Sequence, residues 1–116
     1  MVIIVAEDGM VKVVETVEEA ERYESIDVEN NVFVFYDEQG RWLRPRFIAP
    51  NRYRFFGFIL DQGTFVLEPS VELDPAIDPL PLALAEARYL EPNQYFKDLT
   101  VLREHYGSPI LPLQFE

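Results

Sequence analysis

Seven carboxylates crowd into fifteen residues near the N-terminus: Glu15, Glu18, Glu19, Glu21, Glu24, Asp27 and Glu29. Side chains of this type can ligate a hard cation, exchange protons with a substrate, or project a negative field. A calcium loop wants alternate acids around a central glycine, and no stretch of the chain has that form. Glycosidase-type catalysis needs two carboxylates of unlike proton affinity across a cleft, and a chain of 116 residues leaves little room for one. The third use remains. In its plain version the acids are a solvated helix face. In its sharper version Glu18, Glu19, Glu21, Glu24, Asp27 and Glu29 form a docking surface for a basic protein. There they would speed encounter and stand where the phosphates of the partner's own substrate would lie.

The remaining chemistry-bearing residues are sparse. The chain has no cysteine, which removes disulfides, thiolate nucleophiles and thiolate zinc sites together and suits a reducing compartment. His105 is the single histidine, so no paired-imidazole metal site can form, and no metal ligands are assigned. Its place near the end of an expected helix is explained by the helix dipole. Ser25 and Ser70 precede it with no spacing that suggests a serine triad. With 5 glycines and no phosphate-loop, dinucleotide or nucleophile-elbow pattern, the sequence predicts no cofactor and no enzymatic activity. Further acids, Glu7 with Asp8, Asp37 with Glu38, and the series Glu68, Glu72, Asp74 and Asp78, are common enough that each reads as a surface charge.

Charge is the most informative bulk property. The chain carries 21 acids against 10 bases, a net −11 with 48% hydrophobic residues. Residues 1–30 hold 9 acids and 2 bases, residues 31–60 hold 2 and 5, and residues 61–116 hold 10 and 3. The basic centre interleaves Arg41, Arg44, Arg46, Arg52 and Arg54 with Trp42, Phe47, Tyr53, Phe55 and Phe56. Such interleaving can hold single-stranded nucleic acid. It is also the in/out alternation of a half-buried sheet, and acidic flanks would repel phosphate. No nucleic-acid partner is expected, and the arginines are expected to answer the protein's own acids, those of the first helix among them. No apolar run approaches the roughly 20 residues of a membrane span, and no secretory leader is evident, so no membrane partner and a cytoplasmic location are expected.

The elements that must position these residues follow from local signals. Residues 2–6 and 10–14 around Asp8-Gly9 predict a hairpin. Thr16-Val17-Glu18-Glu19 has the capping-box form and predicts a helix fading near Ser25, with Val17, Ala20 and Tyr23 inward and an exposed Glu18–Arg22 pair. Residues 32–37 and 41–44 predict a second hairpin. Pro45 and Pro50 make the stretch between them an edge strand or a loop. Residues 52–60 and 64–68 around Asp61-Gln62-Gly63 predict a third hairpin. Asp78 and Pro79 open a helix with an apolar stripe of Leu80, Ala83, Leu84, Ala87 and Leu90. Asn93 caps a last helix through Tyr95, Leu99, Leu102 and Tyr106 that ends at Gly107, and the tail from Ser108 lies extended.

The expectation is therefore one domain over residues 1–116. It is α+β, an antiparallel sheet of five to six short strands, with one N-terminal and two C-terminal helices packed against one face. Its expected role is protein binding of the immunity or inhibitor type, neutralising a basic partner such as a nuclease toxin. The alternatives are a chaperone-like adaptor acting as a homodimer rather than a monomer through an apolar sheet or a tail that includes Phe115, and a small carboxylate-dependent enzyme.

Overall fold

Residues 2–5, Val-Ile-Ile-Val, form an apolar run without alternation, as a strand must when both of its faces are covered. Val2, Ile3 and Ile4 are accordingly all buried. This run is β1 (Val2–Ala6), near the middle of the sheet. The computed structural model describes residues 1–23, 28, 32–49, 52–53, 59–61, 63–70 and 74–107. After β1 come β2 (Met10–Val14), α1 (Val17–Ala20), β3 (Phe33–Tyr36), β4 (Trp42–Ala49), β5 (Arg52–Tyr53), β6 (Ile59–Asp61) and β7 (Thr64–Pro69). The chain continues through α2 (Leu80–Ala85), β8 (Tyr89–Leu90) and α3 (Leu99–Tyr106).

Among the described residues six strands form one sheet in the order β7-β4-β3-β1-β2-β8, and β5 and β6 pair as a separate ribbon. The α+β class, the mainly antiparallel sheet and the three helices found among the described residues agree with the sequence reading. The helices differ from it in placement, since they divide between the two faces. On one face Val2, Ile4, Val14, Phe35, Leu43 and Phe65 pack with Ala20 of α1 and with Val28. On the other, Ile3, Val11, Val13 and Tyr36 pack with Leu80 and Leu84 of α2 and Leu102 of α3. Alternate residues of one strand point to opposite faces, so the unbroken run in β1 requires cover on both.

Strand pairing also departs from simple succession. β7 pairs with β4 from Leu43↔Pro69 to Ala49↔Thr64, which places β5 and β6 between them in sequence as an excursion, not as a third hairpin with β7. Pro45 sits inside β4, where the pairing with β3 has already ended at Leu43, so its missing amide breaks no pair on that side. β8 is a short parallel addition to β2, with Met10↔Tyr89 and Val11↔Leu90. It takes Leu90 out of the helical stripe, because α2 stops at Ala85.

The last helix begins later than Asn93. The Asn93 carboxamide oxygen instead accepts from Tyr95 N at 2.8 Å and Phe96 N at 2.7 Å, a local turn. Asp98 is the cap, its Oδ1 accepting from Val101 N at 3.0 Å. Gly107 follows with φ +88°, a conformation that favours glycine. Arg103 joins the two C-terminal helices, donating from Nε to Leu84 O and from a terminal nitrogen to Ala87 O, each at 2.8 Å. Those carbonyls lie at and just beyond the C-terminal end of α2, where Leu84 O also accepts from Ala87 N at 3.2 Å.

Candidate functional site

The acidic segment starts as the sequence indicates. Thr16 is the N-cap of α1, its Oγ1 accepting from Glu19 N at 3.2 Å. The helix then lasts a single turn, with Glu21 as its C-cap, shorter than the fading near Ser25 that the sequence suggests. One turn cannot bring Glu18 and Arg22 together, and these two form no ion pair. Ala20 is fully buried and Tyr23 packs edge-on against Phe33 at 4.8 Å, while Val17 is exposed at 38%.

Glu18 and Glu19 are exposed. Glu21 behaves differently, for its Oε2 accepts from the backbone N–H of Leu67 at 2.7 Å in a half-buried contact. Leu67 lies opposite Pro45, which has no N–H to exchange, so the Leu67 amide is directed away from β4 and toward the free edge of β7. The Glu21 carboxylate satisfies it there and so clasps α1 to the edge of the sheet. Glu24, Asp27 and Glu29 lie outside the described residues.

The central arginines answer neighbouring acids of the sheet, and among the described residues no pair joins them to α1. Arg41 Nε stands 3.0 Å from Asp37. Arg44 and Arg46 share Glu68 across the β4–β7 pair at 3.4 and 3.1 Å. Hydrogen bonding from Arg46, then from Arg44, holds the Glu68 carboxyl below the usual carboxylate range. The side chain of Arg52 and the whole of Arg54 lie outside the described residues.

A second acidic place was not legible as one in the sequence. An open cleft of about 600 Å³ lies on the α2 side of the sheet, between the β1–β2 turn, β3, residues 76–78 and α2. That size falls within the usual range of ligand pockets. Val5, Val34, Ile77 and Ala83 supply its apolar lining, and Glu7, Asp8, Asp78, Glu86 and Arg88 its charged positions. The wall is fixed by Tyr36, whose hydroxyl donates to Asp78 O at 2.6 Å. Burial pushes the pKa of that phenol far above its ordinary value, with the Asp78 charge adding to the shift. Asp8 Oδ1 accepts from Met10 N at 3.0 Å, which shapes the turn. Gly9 has φ +94°, and a Cβ there would stand 3.0 Å from Arg88 Cγ. Arg88 N in turn donates to Gly9 O at 2.8 Å.

Among the described residues, Glu7, Asp8, Asp78 and Glu86 form no ion pair, with Arg88 or with any other cation. Sequence spacing could not unite them, because the pairing of β1 with β3 and the Tyr36–Asp78 bond bring together segments far apart in the chain.

His105 is exposed, its ring tilted against Phe96 at 5.5 Å and edge-on to Tyr106 at 4.7 Å between centroids. Among the described residues no group of three or more histidines and carboxylates is arranged to hold a metal ion, and no helix is long and apolar enough to cross a membrane. Comparison with protein-family models, curated proteins and solved structures gives no match.

Proposed function

We propose that this chain is a small acidic protein-binding domain of the immunity or inhibitor type, acting in the cytoplasm and neutralising a basic partner by direct contact. A nuclease toxin has the fitting chemistry, since its substrate-binding surface must be basic. One observation supports the reading above others. Among the described residues, ion pairs engage the carboxylates of Asp37, Glu38 and Glu68, whereas Glu18, Glu19 and the cleft acids form none. A net charge of −11 that is so little compensated locally projects a field into solvent and steers oppositely charged partners. Glu18 and Glu19 are the exposed docking residues of α1, and Glu24, Asp27 and Glu29 extend the same acidic run in sequence. Glu21 contributes charge while its carboxylate stays on Leu67.

The test is affinity capture from the native host with the wild-type chain and with a Glu18→Gln/Glu19→Gln variant, at low and high salt, with retained proteins identified by mass spectrometry. The reading expects a basic protein that is retained by the wild type, released by salt and reduced on the variant. A partner held equally by both would reject α1 as the docking face.

A further inference from the structure

We infer that the Glu21 carboxylate guards the outer edge of β7 against a second copy of this chain, and that without this guard two β7 strands pair antiparallel about a two-fold axis at Val66. Among the described residues β7 is the outermost strand on its side of the sheet. An edge strand presents backbone donors and acceptors to any extended chain that meets it. Which groups face outward follows from the register. Leu67 stands opposite Pro45, and its N–H turns away from β4 to Glu21 Oε2 at 2.7 Å. The N–H and C=O of one residue point to the same side and the side alternates along a strand, so Phe65 also turns its N–H and C=O outward. The irregularity in this pair lies on the β4 side, between Phe47 and Ala49, which oppose the consecutive Phe65 and Thr64, so β7 keeps its alternation. Pro69, at the end of the strand, has no N–H to offer.

The strand is complementary to itself. With Val66 opposite Val66, Phe65 of each copy opposes Leu67 of the other, and each such pair exchanges both of its N–H···O bonds. Moving the axis to Leu67 would set Phe65 against Pro69 and leave the Phe65 carbonyl unanswered. In the favoured register the β-branched, half-buried Val66 side chains meet at a non-hydrogen-bonded site, where side chains approach most closely. Glu68 then lies opposite the exposed Thr64 and not opposite another Glu68. The seam is the backbone edge, not the charged face on which Arg44 and Arg46 hold Glu68. Glu21 stands in its way. Its carboxylate takes the place of an incoming carbonyl on the Leu67 N–H, and closing the seam would strip two such carboxylates of their amides at one interface.

The test is sedimentation equilibrium of the full chain at concentrations up to about 1 mM, with hydrogen exchange of the Phe65 amide reporting on the seam. Glu21→Ala should dimerise at least tenfold more tightly than the wild type and protect the Phe65 amide as concentration rises. Glu21→Asp keeps the charge, but its shorter side chain falls short of the Leu67 amide. It should dimerise as well, and it serves where Glu21→Ala fails to fold. Glu21→Gln loses the charge but keeps an acceptor, and should stay monomeric like the wild type. Thr64→Glu added to a dimerising variant meets Glu68 of the second copy and should weaken association tenfold or more. Thr100→Glu, an equal charge change at an exposed position of α3, should alter it less than twofold. Monomers from both Glu21→Ala and Glu21→Asp, a seam in Glu21→Gln or the wild type as strong as theirs, or equal weakening by the two threonine variants would each overturn the inference. A basic partner docked on Glu18 and Glu19 would stand in any of those cases, so the two readings fail separately.

Discussion

The β4–β7 pair and the cleft beside β1 expose charge on the same face of the same sheet, and they treat it in opposite ways. In the pair, Glu68 lies directly across from Arg44 and diagonal to Arg46, and both guanidinium groups reach it. The three charges answer one another and leave a surface with little reason to attract a partner. In the cleft, Glu7, Asp78 and Glu86 line a concave wall where Arg88, the one cation among the described lining residues, pairs with none of them. Charge density alone therefore does not mark a functional surface in this protein. The mark is charge that the fold leaves uncompensated, and the contrast can be pressed from either side.

The largest expected effect on stability falls on the helix that walls the cleft. Arg103→Ala removes two charge-assisted bonds to Leu84 O and Ala87 O, and should lower stability by about 1.5–3 kcal/mol in denaturant titration. Amide exchange should quicken first in α2 and leave β4 and β7 protected. Uniform loosening of both regions would show that they are not separable.

Next comes the clasp at the far edge. Glu21→Ala leaves the Leu67 amide without its acceptor and should cost about 1–2 kcal/mol, with Glu21→Gln partly retaining the bond. A neutral outcome would return Glu21 to the set of purely outward acids.

Tyr36→Phe should cost about 1 kcal/mol by freeing the wall at Asp78. It also carries a pH signature. Burial raises Tyr36 above the ordinary value of 10.0, and raises Tyr106, which donates to Glu38 O, to about 12 with help from Glu38 and Asp37. A phenol that ionises less readily when folded contributes stability that is complete below its unfolded value and lost as pH climbs toward its folded one. Stability should thus fall above pH 10, and each of Tyr36→Phe and Tyr106→Phe should flatten that limb. An unchanged alkaline limb in both would contradict the assignment.

Smallest of all is Glu68→Gln. The depressed carboxyl contributes stability that is present above its unfolded value and lost as pH falls through its folded one. Glu68 is only partly covered and both arginines are exposed, so solvent and salt leave little of that effect to measure. A marked loss of thermal stability in this variant would show that the β4–β7 charges are structural in a way their exposure does not suggest.

What the sequence made legible tracks how local each signal is. Asp8-Gly9, the Thr16 cap and the spacing of Leu80 with Leu84 each act within a few residues, and each element formed where they indicate. The capping signal, however, gives a start and no length, and α1 ends after one turn. β8 and the β4–β7 pairing rest on contacts between segments distant in the chain, through Gly9 O and the Leu43↔Pro69 register, and no local pattern announces them. Cover on both faces was missed, because the one-face expectation followed the order of elements, although the unalternated residues 2–5 carry the signal for it. The cleft was the least legible feature, because Glu7, Asp78 and Glu86 become neighbours only through the sheet and the Tyr36 hydroxyl.

The central claim is that uncompensated carboxylates select a basic protein. It is tested most directly by titrating the captured partner against the wild type and the Glu18→Gln/Glu19→Gln variant over a series of salt concentrations. The account predicts affinity that falls steadily with salt for the wild type, and a weaker, flatter dependence for the variant. Equal affinity with equal salt dependence in the two chains would contradict it.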